Sequence, residues 1–162
     1  MALNVGGMHI HRAEKLWIGI GVGMLALFIA IISWAAVAEG VVPPSNVQSI
    51  DPTRVSETPP FDRPGIRKLG EGRYEAYYVA RIFSFAPQHV VVPVGAHVTF
   101  YVTSADVEHG FSIPRTDVNT MVTPGWVSSV AYTFRVSGKY LLLCNEYCGA
   151  GHQLMAADVE VR

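Results

Sequence analysis

The chain is poor in cysteine and in charge. It has two cysteines among 162 residues, and 15 % of its residues are charged. Two cysteines allow one disulfide at most. Twelve Lys and Arg stand against thirteen Asp and Glu, a formal net charge of −1. There is no basic run, which argues against nucleic acid as a partner, and there is no acidic tail. The length leaves room for one ordinary domain and little more. Hydrophobic residues make up half the chain, and they are unevenly spread.

From Leu16 to Ala38 the sequence reads LWIGIGVGMLALFIAIISWAAVA, without a single charge. About 20 apolar residues cross a bilayer core as a helix. A cleaved secretory signal is the competing reading, with HRAEK as its charged leader and Ala36-Val37-Ala38 as its cleavage site. Signal cores run to about 7–15 apolar residues, so length favours an uncleaved anchor over residues 16–38. Trp17 and Trp34 lie near its ends, where indoles favour the interface. Arg12 and Lys15 precede the span, while Glu39 and a long uncharged stretch follow it. The positive-inside rule then makes residues 1–15 a cytoplasmic leader and puts the rest of the chain outside. Both readings give that placement, in a compartment that permits disulfides.

Residues 43 to 64 hold six of the ten prolines. Without apolar periodicity, such a stretch implies an extended surface connector, here residues 39–72. From residue 73 the pattern changes to period two. Val98, Phe100 and Val102 share one face of HVTFYVT. Val130, Tyr132 and Phe134 share another, as do Tyr140, Leu142 and Cys144, and Met155, Ala157, Val159 and Val161. Alternation of this kind marks half-buried strands. Turn signals separate them at Pro93-Val94-Gly95, Pro124-Gly125 and Ser137-Gly138. The expectation is a mainly β fold: one helix, one connector, and a small β-sandwich or Greek-key barrel over 73–162.

Both cysteines fall in CNEYCGAGHQLM, residues 144 to 155, with His152 and Met155. Gly149 and Gly151 argue for a loop between two strands. A Cys144–Cys148 disulfide closes too short a loop to gain much entropy, and it leaves His152 and Met155 idle. A zinc site uses the cysteines and histidines, but thioether is not a usual zinc ligand. A blue-copper site takes one Cys, two His and an axial Met, which leaves a cysteine over. Two thiolates bridging two coppers use every residue, given a second histidine. His109 in SADVEHGF can supply it, with Gly110 permitting close backbone approach. His9 and His11 belong to the leader, while His89 and His97 fall on strand or turn positions without soft neighbours. Asp106 and Glu108 flank His109, as carboxylates that orient a ligand do, although solvated turn residues are the default. Phe83 and Phe85 read as core packing or as the face that receives electrons. Trp126 reads as a packed edge aromatic rather than an electron relay, and Tyr147 packs over the site or faces a partner.

The loop resembles the C-x-E-x-C-x-x-x-H-x-x-M motif of the binuclear copper (CuA) centre in subunit II of cytochrome c oxidases. SADVEHGF is similar to that family's histidine segment. The single helix, the Pro-rich stretch, YVARIFSF and VVVPVGAHVTFYVTS resemble the one-helix subunits of B-type haem-copper oxidases. The resemblance implies a cupredoxin-like domain. It implies that Cys144 and Cys148 bridge two copper ions, with His109 and His152 as terminal ligands. Met155 and the backbone carbonyl of Glu146 are then the weak ones. It also implies electron acceptance from cytochrome c or a similar carrier, and onward transfer to haem in subunit I. The alternative is a free-standing, membrane-anchored copper carrier or copper-delivery protein. In the B-type branch the residue between the cysteines is often Gln, whereas here it is Glu146. In mitochondrial-type relatives the corresponding Glu helps bind magnesium at the subunit interface. Magnesium is therefore a further implied cofactor.

Overall fold

The computed structural model describes residues 4–5, 8–9, 11–39 and 45–162. The chain divides into two compact units between Pro43 and Pro44. In the first, β1 (Asn4–Val5) pairs antiparallel with β2 (Met8–His9), and α1 runs from Arg12 to Glu39. The His11 amide donates to the Glu14 carboxylate at 2.7 Å, which satisfies one donor that the first helical turn leaves free. The helix thus starts a turn before the uncharged run. Arg12–Ala38 is long and apolar enough to cross a membrane, with a mean hydropathy of 2.4. Apolar side chains are exposed on every side of it, Trp17 and Trp34 included. A helix apolar all round is stable only when lipid or protein covers it.

The second unit is all β. Its strands are β3 (Ser45–Ser49), β4 (Gly65–Gly70), β5 (Arg73–Arg81), β6 (Ser84–Ala86), β7 (His89–Val92), β8 (His97–Ser104), β9 (His109–Ser112), β10 (Asn119–Val122), β11 (Trp126–Thr133), β12 (Gly138–Leu143) and β13 (Ala156–Val161). One sheet has the order β10-β9-β12-β13-β7, and the other β3-β11-β8-β5-β4 with β6 beside β5. Pairing is antiparallel except between β5 and β8 and between β7 and β13. The expected turns fall between β7 and β8, β10 and β11, and β11 and β12.

Period two does what the sequence predicts. Val98, Phe100 and Val102 are buried, as are Phe134, Leu142, Met155, Ala157, Val159 and Val161. Val130, Tyr132 and Tyr140 pack against them. Both sheets contribute to this core, and aromatic rings dominate it. Phe111 lies 5.2 Å from Tyr78, 5.5 Å from Phe100 and 5.7 Å from Phe85, ring centre to ring centre. Burying one such side chain contributes about 1.5–3 kcal/mol.

The connector expected over 39–72 is different from that reading. Residues 40–44, Pro43 and Pro44 among them, lie outside the described residues, but from Ser45 onward the stretch belongs to the β unit. β3 pairs with β11 and β4 with β5. A 3-10 turn at Pro52–Glu57 starts under the Asp51 side chain, which accepts from the Thr53 amide at 2.9 Å. Ile50, Val55 and Phe61 then bury themselves with Val79 and Val127 in a second, smaller core. These apolar residues are irregularly spaced because turns, not a regular element, bring them inward.

Candidate metal centre

Two strands and two loops at one end of the sandwich assemble the predicted site residues. β12 ends at Leu143, which pairs with Ser112 of β9. That register sets His109, the first residue of β9, beside Cys144. The Cys144 amide donates to the Met155 carbonyl at 3.2 Å, closing the base of the 144–155 loop. Inside the loop a 3-10 turn at His152–Leu154, with the His152 amide bonded to Gly149 O at 3.0 Å, turns the chain back toward the cysteines.

Six donors converge there. The two Sγ atoms are 3.8 Å apart, and both thiols are free and buried. A disulfide requires about 2.05 Å, so these are two separate thiols. His109 Nδ1 lies 3.9 Å from Cys144 Sγ, and His152 Nδ1 lies 3.6 Å from Cys148 Sγ. Met155 Sδ is 3.8 Å from Cys148 Sγ, and the Glu146 carbonyl oxygen is 3.2 Å from Cys144 Sγ. Each thiol therefore has its own imidazole and its own weaker donor. Burial first, and then the neighbouring Cys144 thiol, push the Cys148 thiol up to about 11. A cation must displace that proton to bind. His109 is fully buried, and its Nε2 faces Asp106 Oδ1 at 2.8 Å. With Nε2–H donating to the carboxylate, Nδ1 is free to ligate.

Asp106 thus orients His109, the role that flanking carboxylates take beside a ligand, and is not a solvated turn residue. Burial acts to raise its pKa. The His109 bond and the amides of Ile82 and Val107 outweigh that and hold the carboxyl below its ordinary value. Glu108 instead accepts from the Thr123 hydroxyl at 3.0 Å. Gly110 has a sharper reason than permissiveness. A Cβ there would stand 2.8 Å from Glu146 N and 2.9 Å from Asn145 N, so β9 and the ligand loop meet with only hydrogen between them. Phe85 is core. Phe83 is half-buried, with its ring against Gly149 and Gly151. Trp126 is half-exposed, and Tyr147 is exposed with its ring 5.9 Å from that of His152. His89 pairs with Asp158, and His97 Nδ1 bonds Thr133 Oγ1 at 2.9 Å, both away from the cysteines.

Two thiols and a thioether are soft donors, and together with two imidazoles they suit copper, with the hard carbonyl able to act only weakly. On a two-sheet sandwich, this arrangement defines a cupredoxin-like domain of the electron-transfer kind. Residues 79–161 match the model of the cytochrome c oxidase subunit II periplasmic domain. Cytochrome c oxidase subunit 2 of Thermus thermophilus is 39 % identical over 153 residues, covering 92 % of this chain and 91 % of that protein. Among solved structures, a chain of a haem-copper terminal oxidase dimer superposes with a TM-score of 0.79 at 31 % identity, over 93 % of this chain and 100 % of that one. The periplasmic domain of Bradyrhizobium japonicum cytochrome oxidase subunit II shares the fold, with a TM-score of 0.51 at 21 % identity over 54 % of this chain and 83 % of that one. The chain belongs to the cytochrome c oxidase subunit II family. It is the electron-accepting subunit of an oxidase whose catalytic subunit is a separate chain. The match over nearly the full length of both chains leaves the free-standing carrier unfavoured.

Proposed function

We propose that the β domain holds two copper ions through Cys144 and Cys148 as shared ligands. His109 and His152 are the terminal nitrogens, and Met155 Sδ and Glu146 O the weak outer ligands. The observation that carries this is the pairing within the cluster: two thiols 3.8 Å apart, each with its own imidazole nitrogen. Such a pair supplies a one-electron couple whose geometry changes little on reduction. The protein's part is to fix the ligands and exclude water. Cys144, Cys148, His109 and Met155 are buried, while His152 is partly exposed beside Tyr147. That leaves His152 as the edge open to a donor, cytochrome c or a similar carrier. A copper pair held there would supply the electron that passes on to haem in the partner, subunit I.

The helix is a single-pass anchor in this reading. Arg12 and Lys15 in its first turns put the N-terminus in the cytoplasm and the β domain outside. Glu146 is exposed, while its carbonyl faces Cys144. A lone carboxylate is a poor magnesium site without oxygen ligands from the partner. A hydrogen bond across the subunit interface is the simpler role.

Copper analysis and paramagnetic resonance on the detergent-extracted full chain test this reading. Two coppers per chain, with one electron spread over both nuclei, are expected. One copper with a single-nucleus pattern overturns the reading in favour of blue copper. Extraction should also bring down a haem-bearing, multi-helix partner.

A further inference from the structure

The turn between β5 and β6 touches both halves of the donor cluster. On one side the Ile82 amide donates to Asp106 Oδ2 at 2.7 Å, and the other oxygen of that carboxylate holds His109 Nε2 at 2.8 Å. On the other side is the next residue, Phe83. A Cβ on Gly151 would stand 2.5 Å from Phe83 Cδ2 and 2.8 Å from Cγ and Cε2. One on Gly149 would stand 3.1 Å from Cε1. The ring is seated on two bare Cα positions that bracket Ala150, immediately before His152 and after Cys148. Real Cβ atoms do not approach within 3.0 Å, so the ring requires glycine at 151; at 149 the contact would be tight, and the φ of +132° there independently favours glycine. Gly110, at the other end of the loop, permits the matching approach to Asn145 and Glu146.

We infer that Phe83 is a positioning residue. Its ring wedges the Gly149–Gly151 segment, so that Cys148 and His152 are held in register with Cys144 and His109. Through Ile82 and Asp106, the same turn grips the His109 half. The inference rests on the binuclear reading only for its spectroscopic consequence. Equal sharing of an electron between two metals requires equivalent halves, and the halves are matched through this turn. The seating of the loop itself is a property of the protein.

The test uses the full chain in detergent with three variants: Phe83→Ala, Gly151→Ala, and the two combined. Without metal, either single change should raise the alkylation rate of Cys148 by iodoacetamide about tenfold, by lowering the free energy of local opening. In the double variant the Gly151 methyl fills the space left by the ring, so the effects should be non-additive and the rate should fall back toward wild type. With copper loaded, each single variant should show unequal hyperfine splitting from the two nuclei, and the double variant should recover. Alkylation unchanged in both single variants, or additive in the double, overturns the inference. If Phe83→Ala does not fold, Gly151→Ala and Phe83→Leu carry the same comparison. A wild-type chain that loads a single copper defeats the binuclear reading, and the alkylation cycle still decides the wedge.

Discussion

Asp106 Oδ1 receives the Nε2 hydrogen of His109 at 2.8 Å, while Oδ2 receives the Ile82 amide at 2.7 Å. One carboxylate therefore fixes the tautomer of a buried imidazole and ties it to a different strand pair. Removing such a partner typically costs 10–100-fold in metal affinity. Asp106→Ala should lower copper affinity by about that factor, measured by competition with a chelator, while near-UV circular dichroism stays unchanged. Asp106→Asn should lose less, because the amide oxygen can still accept from His109, although its NH2 then faces the Ile82 amide. Equal affinity in Asp106→Ala and wild type would show that the bond is incidental.

The weak donors should behave differently from the strong ones. Met155 Sδ is 3.8 Å from Cys148 Sγ and fully buried, so leucine fills its place without exposing the cluster. Met155→Leu should keep both coppers and shift the reduction potential, because a thioether bond to copper is long and weak. Cys148→Ser should lose the paired-metal spectrum altogether. Copper released as completely by Met155→Leu as by Cys148→Ser would reverse this ranking of ligands.

The strand faces were legible because alternation is local. Each of Val98, Phe100 and Val102 announces its face through its neighbours, and the same holds for Met155, Ala157, Val159 and Val161. The donor loop was legible because five of its six donors fall within twelve residues. Three features were not legible. Ile50, Val55 and Phe61 are turned inward by 3-10 and irregular turns, so their burial has no period to betray it. Of the two carboxylates flanking His109, the sequence did not tell which one orients it; the β8–β9 turn brings Asp106 to the ring and sends Glu108 to Thr123. The fit of the Phe83 ring on Gly151 joins distant parts of the chain, and neither residue alone signals it. The glycine pair in the loop was the available clue, and a loop reading absorbed it.

The hydroxyl of Tyr78 is buried without a hydrogen-bond partner among the described residues, although its ring packs well against Phe111. A buried unsatisfied hydroxyl costs about 1–3 kcal/mol. Tyr78→Phe keeps the ring contacts and removes that cost. Denaturant unfolding should show the variant as stable as wild type, or more stable by about 1 kcal/mol. A loss of stability would reveal a partner, such as a buried water, for the hydroxyl.

Asp158 on β13 accepts from His89 and, at 3.1 Å, from Lys139. Burial acts to raise its pKa, but these partners prevail and hold it below the ordinary carboxylate value. A carboxyl depressed in the folded state stabilises the fold above its unfolded pKa and loses that contribution as pH falls through the folded value. Asp158→Asn should therefore cost about 0.5–1 kcal/mol near pH 6. Wild type and variant should converge as acid carries the pH from the ordinary carboxylate value down through the depressed folded one. Thermal melts of both across that range check the sign. A difference that widens in acid would contradict it.

Glu146 separates its two oxygen-bearing groups by direction. The carbonyl points to Cys144 Sγ at 3.2 Å, while the residue as a whole is exposed. Its backbone is fixed from the other side by Gly110, where a Cβ would collide with the Glu146 amide at 2.8 Å. The carbonyl's position is therefore set by backbone packing and owes nothing to the carboxylate. Glu146→Gln should leave copper content, colour and the resonance spectrum of the isolated chain unchanged. Gly110→Ala, which displaces the backbone itself, should disturb all three. In the assembled oxidase, Glu146→Gln should instead change either the hold on the partner subunit or the rate of onward electron transfer, read by single-turnover haem reduction. Loss of the copper spectrum in Glu146→Gln alone would show that the side chain reaches the centre, and the backbone assignment would fall.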